Sequence, residues 1–310
     1  YSSVLLGGAA ASGQSNNSPA RSVWNAGSVE HVLPTVSHDR IRIKVSLQHP
    51  LTRAPRLMVG KRAVAGRRSD SGGQFWTFDT QGLAPAQTYT LELKDPAGKN
   101  LCDPWPLKTF PSPDAQPEKL RLLIYSCAGG HDGMSQAKGS TASYLPSAVR
   151  ARMLERALSF GPDAIIANGD HIYWDQRSTL GNRQRNLPIF TQLAGEFRRD
   201  EAIMGTSNES VLLKSVGPQI VPMYGNRCRS TPVFFLRDDH DYFDNDEATD
   251  EYVTFPPDEF QMQAARWSQR LYYPEFLADG NQPGGLPGRI TIDGSGPLSE
   301  SYGKIGRAHV

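Results

Sequence analysis

Cysteine is scarce: Cys102, Cys127 and Cys228 are the three in 310 residues. So small and odd a set supplies no disulfide framework, and the fold must rest on a packed core. Long apolar runs are missing too. No stretch approaches the roughly 20 residues needed to span a bilayer, so no transmembrane segment is expected. Nor is there an excess of charge of either sign. Lysine and arginine number 33 against 32 aspartate and glutamate, which leaves no global field to favour a stable nucleic-acid partner or an anionic membrane. No internal repeat is present, and low-complexity sequence is confined to the first twenty residues.

What is present is enough to bury a sizeable core. Hydrophobic residues make up 38% of the chain, and its length suggests about two domains at roughly 150 residues each. The first part, from about His31 to Phe110, reads as short strands separated by turn chemistry, the pattern of an all-β sandwich. Ile41–Leu47 and Thr88–Leu93 alternate, Arg56–Val59 is short and mostly apolar, and Gln74–Phe78 carries three aromatic residues. Gly82, Pro85, Pro96, Gly98 and Pro104 punctuate them. Gly82–Leu93 (GLAPAQTYTLEL) resembles the turn-then-strand passage of fibronectin-type III modules. Arg53, Arg56, Lys61, Arg62, Arg67 and Arg68 crowd one segment and read as a solvated face.

From Leu120 the texture changes to strands alternating with helices, the signature of an α/β layer. Ser147–Phe160 sets Val149, Met153, Leu154, Ala157 and Leu158 on one stripe and stops at Gly161–Pro162, which predicts a helix. Ala164–Ala167 (AIIA) follows as a central strand buried on both faces and completes a βαβ unit with Leu120–Tyr125. Glu196–Met204 and Val211–Val216 are expected to be helical, Val233–Leu236 a third strand, and Asp258–Leu271 another helix. The expected division is a disordered lead over 1–29, a sandwich over 30–112, a linker over 113–120 and the α/β layer from 121.

Three buried, strand-like apolar runs end in residues that bind hard or borderline metals: Leu120–Cys127, Ala164–Asp175 and Val233–Asp241. Open α/β sheets place their ligands at the carboxyl ends of strands, so these endings are expected to converge. Gly169 lets the chain turn tightly, and Asp170 can then point at the sheet edge, where its carboxylate could bridge two cations. Tyr173 can reach the same region, and as a phenolate it suits ferric iron. Cys127 sits in an open Ser-Cys-Ala-Gly-Gly-His turn, where a thiolate beside a metal would be a good soft ligand. The neighbouring His131 and Asp132 are expected to be surface turn residues.

The third ending, Arg237-Asp238-Asp239-His240-Asp241, is the most specific. Successive carboxylates repel one another unless something positive compensates. A histidine among them can protonate a leaving oxygen. An EF-hand loop is excluded, because no glycine occupies the sixth position that its turn demands.

With these residues in place, the chain resembles the PhoD-like metallophosphatases, the alkaline phosphatase D family within the calcineurin-like phosphoesterases. The resemblance rests on Ser126-Cys127, on Gly169-Asp170-His171-Ile172-Tyr173 and on Asp238-Asp239-His240-Asp241 with Asn245 close behind. It implies a metallophosphatase-type sheet layer preceded by a fibronectin/Ig-like sandwich, with 121–303 as the N-terminal part of the catalytic domain. It further implies that Cys127 and Tyr173 hold an iron-like ion, Asp170 bridges, Asp239 binds the second ion, His240 assists the leaving group and Asn245 contacts substrate. The activity implied is hydrolysis of small phosphate mono- or diesters by in-line attack of a metal-bound hydroxide, in a monomer, exported to the periplasm or secreted. Fe3+ with Ca2+ is the implied pair, although a thiolate and carboxylates also accept Zn2+ or Mn2+.

Asp241 replaces the family's usual Glu, Trp174 stands where an acidic residue often follows the tyrosine, and Asp244 stands where an Asn is common. These departures bear on substrate contacts. The family's later Gly-Asp-x-His ligands have no counterpart, so the chain is expected to be C-terminally truncated. Val4–Ala11 is expected to be the tail of a signal segment or a disordered lead. Most of Lys304–Val310 matches one reading frame of a widely used sequencing adapter, so 304–310 are expected to be non-native and His309 is not counted as a ligand. Two rivals stand beside the phosphoesterase. One is a metal-free hydrolase using Asp170 and Asp239 as an acid/base pair. The other is a surface-ligand binding module with a degenerate hydrolase part.

Overall fold

The computed structural model describes residues 23–132, 145–174, 189–243 and 259–274. Eight strands come first: β1 (Val29–Val36), β2 (Ile41–Leu47), β3 (Arg56–Val59), β4 (Arg62–Ala65), β5 (Arg67–Arg68), β6 (Phe75–Thr80), β7 (Thr88–Lys94) and β8 (Trp105–Lys108). They form two antiparallel sheets, ordered β1-β2-β6-β5 and β4-β3-β7-β8. Alternate residues of both sheets meet in one core, where Ile41, Ile43, Val45, Trp76 and Phe78 face Leu57, Leu91, Leu93 and Trp105. The Tyr89 hydroxyl accepts from the Ala84 N–H at 2.7 Å, fixing the turn ahead of β7 as a tyrosine corner does. The chain is anchored before β1 as well. Trp24 packs edge-on against Trp105, and its indole N–H donates to the Asp103 and Pro104 carbonyls.

The alternation of β2 predicts one buried and one wet face, but every residue of β2 is buried. Its polar side lies against the second half of the chain. Arg42 pairs with Asp79 at 3.1 Å, and the Lys44 ammonium donates to Ser69 Oγ and to the Arg270 carbonyl. Aromatic edges close the same seam, with Tyr272 packing against His31 and Phe75. A long cationic side chain can be buried this way because its stem packs while its head finds oxygen acceptors.

The second half holds β9 (Leu122–Tyr125), α1 (Ser147–Leu158), β10 (Ala164–Asn168), α2 (Ile189–Ala194), α3 (Ser207–Tyr224), β11 (Val233–Leu236), a 3-10 turn over Asp239–Tyr242, and α4 (Glu259–Tyr272). Its sheet is parallel, ordered β11-β10-β9, with Ile166 in register with both Ile124 and Phe234. The chain is thus mixed α/β, with antiparallel sheets and one parallel sheet. Leu154, Ile165, Ala167, Leu212, Val216, Ile220 and Phe235 share a core on one side of it.

Two expectations are corrected here and a third, a helix over Val211–Val216, is extended. Among the described residues Leu120–Tyr125 is not a buried run: β9 lies at the edge of their parallel sheet, and Leu122 and Ile124 are 45% and 60% exposed. Glu196–Met204 is not helical. Gly195 leaves α2 at φ +95°, and the Asn208 amide donates to the carbonyls of Arg198, Glu201 and Ala202, holding the segment as a turn. Val211–Val216 is a small part of α3, which runs 18 residues and carries Pro218 and Pro222 inside it. Each proline removes a backbone donor, a cost offset by burying Leu212, Val216, Ile220 and Met223. Among the described residues no helix is long and apolar enough to cross a membrane. Asn245 and the tail over 304–310 lie outside the described residues.

Candidate metal centre

The three strands of the parallel sheet end side by side, and each continues into a loop carrying residues singled out from sequence. Cys127 and Asp170 leave their strands at φ +56° and +57°, a left-handed backbone that L-residues adopt at a cost of about 1–2 kcal/mol. Glycines make the close approaches. A Cβ on Gly169 would stand 2.5 Å from Asp238 Cβ, and one on Gly129 would stand 2.5 Å from the His171 carbonyl.

These turns bring four of the sequence candidates and His240 together. The Cys127 thiol lies 3.2 Å from Asp170 Oδ2, and the Tyr173 hydroxyl lies 3.4 Å from the same oxygen. Ligand atoms of Asp170, Asp239 and His240 lie within 4.8 Å of one another. The His240 ring stacks on Tyr173, with centroids 4.3 Å apart. Asp170 Oδ1 is buried and has no hydrogen-bond partner among the described residues. A carboxylate oxygen left so costs free energy unless a cation meets it, and a thiol, a phenol, two carboxylates and an imidazole form a donor set that suits one. The residues fit a metal ion.

The electrostatics agree with a site short of positive charge. Burial pushes the Asp170 carboxyl from its ordinary 3.8 up to about 6. Lost solvation, with Asp170 beside it, likewise holds the Cys127 thiol above its ordinary value, although the residue as a whole is exposed.

Several further residues hold the site, some of them in roles other than the sequence suggested. Asp241 is buried within the 3-10 turn, and its carboxylate accepts the backbone N–H groups of Asp170 at 2.9 Å, His171 at 3.0 Å, Ile172 at 2.8 Å and Asp238 at 3.2 Å. It is a clamp between the second and third loops. The Arg150 guanidinium, from α1, donates to the carbonyls of Ala128, Gly129 and Gly130. His131 is buried rather than a surface turn residue, and burial lowers its pKa to about 4. Asp132 is exposed, and it caps α1 by accepting from the Ser147 N–H and hydroxyl at 2.6 Å each. His171 faces the core, with Nε2 3.0 Å from the Ala167 carbonyl and its ring edge-on to Phe235. Trp174 is core too, stacked 4.4 Å from Phe243. A buried polar residue inside an apolar helix stripe, as at Gln219, is the one sequence cue that could have drawn notice.

No family model and no curated protein matches the sequence. Among solved structures, PhoD is similar at 15% identity over 84% of this chain and 48% of that one, with a TM-score of 0.49. The purple acid phosphatase PPD1 from yellow lupin seeds is similar at 12% identity over 81% of this chain and 40% of that one, with a TM-score of 0.44. The chain spans about half the length of the PhoD structure that it matches.

Proposed function

We propose that the chain is the metal-holding part of a phosphoric ester hydrolase of the alkaline phosphatase D type, acting on small phosphate mono- or diesters. The observation that carries this reading is the meeting of Cys127, Asp170, Tyr173, Asp239 and His240 at the ends of three parallel strands, with Cys127 and Tyr173 on Asp170 Oδ2 and with Asp170 Oδ1 lacking a hydrogen-bond partner among the described residues. Cys127, Asp170, Tyr173 and Asp239 would hold the cations, with Asp170 shared between two of them. Bound there, such ions lower the pKa of water toward ~7 and polarise a phosphoryl oxygen.

The remaining chemistry belongs to the protein's own groups. Asp241 and the positive-φ turns fix the backbone that carries the Asp170 carboxylate before substrate arrives, so little reorganisation is left for the reaction itself. His240, held flat against Tyr173, donates a proton to the departing oxygen. Asn245 is assigned to the phosphate by the motif resemblance. Fe3+ with Ca2+ is the proposed pair, and Zn2+ or Mn2+ are the alternatives that elemental analysis would reveal.

Chelation is the direct test. Hydrolysis of a chromogenic phosphoester by the complete gene product should vanish on chelator treatment and return with added cation. Activity that survives chelation would favour the metal-free acid/base pair, and protein that binds no metal would favour the binding module. His240→Ala should slow esters of poor leaving groups far more than those of good ones. Equal slowing of both, together with lost metal, would move His240 into the ligand set, which its place in the cluster allows.

A further inference from the structure

Gln219 is fully buried in the middle of α3, and both ends of its amide are engaged. Oε1 accepts from two backbone N–H groups, Gly130 and Tyr173, each at 2.9 Å. Nε2 donates to the Ser215 carbonyl at 3.1 Å and lies 3.0 Å from His131 Nε2. The two N–H groups occupy equivalent places. Gly130 comes three residues after Cys127 and Tyr173 three after Asp170, and both of those starting residues hold the left-handed backbone. A single oxygen therefore ties the loop that carries the sulfur to the loop that carries the carboxylate and the phenol. Packing alone does not call for an amide in a helix that also buries Leu212, Val216, Ile220 and Met223. Satisfying two converging N–H donors does.

Resting on the metal-centre reading above, we propose that Gln219 is a positioning residue: its side-chain oxygen fixes the separation of the Cys127 loop from the Asp170–Tyr173 loop, and so decides whether sulfur joins the carboxylates in holding one ion. Groups that orient ligands without touching the metal commonly change metal affinity 10–100-fold.

Cobalt(II) added alone to the full chain tests this, because a thiolate on cobalt gives an intense near-ultraviolet charge-transfer band that oxygen and nitrogen ligands do not. Wild type should show the band and Cys127→Ala should lack it. Gln219→Met, close in shape but without an acceptor, should lose the band and bind cobalt at least tenfold more weakly, with the folded fraction followed by circular dichroism. A purely structural role would lower the melting temperature and leave the band of the folded protein intact, which would overturn the proposal. Should Gln219→Met not fold, Gln219→Asn, whose oxygen is drawn back by one methylene, is read by the same two outcomes. Wild type that takes up no cobalt would instead sink the metal-centre reading itself.

Discussion

Asp170→Asn is expected to abolish metal binding and phosphoester hydrolysis while making the metal-free chain more stable at neutral pH. The loss should exceed the 10–100-fold typical of an outer-shell partner, because the proposed shared ligand itself is changed. Asp239→Asn should share the loss of activity. The gain in stability follows from the carboxyl's raised pKa. Its folded value of about 6 lies above the ordinary 3.8, so between those limits the folded chain holds a proton that the unfolded chain has released. Stability therefore falls as pH rises across that window, and above it the metal-free fold carries a desolvated carboxylate with one oxygen unpartnered among the described residues. Asparagine removes that charge and can still accept from the Cys127 thiol and the Tyr173 hydroxyl. A gain of about 1–3 kcal/mol at pH 7, fading below pH 4, is expected from thermal melts in chelator. An asparagine variant that melts no higher than wild type at pH 7, or keeps its metal, would contradict this account.

A site that weakens its own fold when empty is what a ligand-binding carboxylate cluster should look like. Binding free energy then offsets strain that packing alone does not relieve. The same logic covers the positive φ at Cys127 and Asp170, two positions where an ordinary loop would place glycine.

How far the sequence could go depended on whether the cause was local. Alternation in Ile41–Leu47 and the short apolar runs at 164–167 and 233–236 predicted strands that the structure contains, since both patterns are local to the segment that forms the strand. The ligand-type residues were legible for a related reason, standing where strands end. Causes that act across the chain were not legible. The burial of Lys44 is one, because its acceptors, Ser69 and the Arg270 carbonyl, come 25 and 226 residues later. Glu196–Met204 had helical spacing, but Asn208 captured its carbonyls from outside. Leu122 and Ile124 looked buried because nothing in β9 itself reveals that it lies at the edge of the sheet among the described residues. Asp241 was misjudged in the same way. As a departure from Glu it seemed to bear on substrate contacts, whereas its oxygens are taken up by backbone of two loops.

That clamp gives the largest expected structural effect, from Asp241→Asn. The carboxylate divides its acceptors evenly: Oδ1 takes the N–H groups of His171 and Ile172, and Oδ2 takes those of Asp170 and Asp238. An amide of the same shape keeps one oxygen and turns an NH2 toward the other pair, leaving two buried donors facing a donor. Each such loss costs about 1–3 kcal/mol, so a destabilisation of roughly 2–6 kcal/mol is expected. For a chain of this size that lowers the melting temperature by roughly 3–9 °C. Flipping the amide cannot repair the site, because either orientation abandons one pair. If the Oδ2 pair is abandoned, Asp170 loses its anchor directly, and if the Oδ1 pair is, the turn leading to Tyr173 opens, so metal affinity should fall alongside stability in both cases. Asp170→Asn and Asp241→Asn thus move stability in opposite directions at pH 7 while both remove metal. A clamp variant that melts as wild type does and binds cobalt equally well would show that the loops are held by something other than this carboxylate.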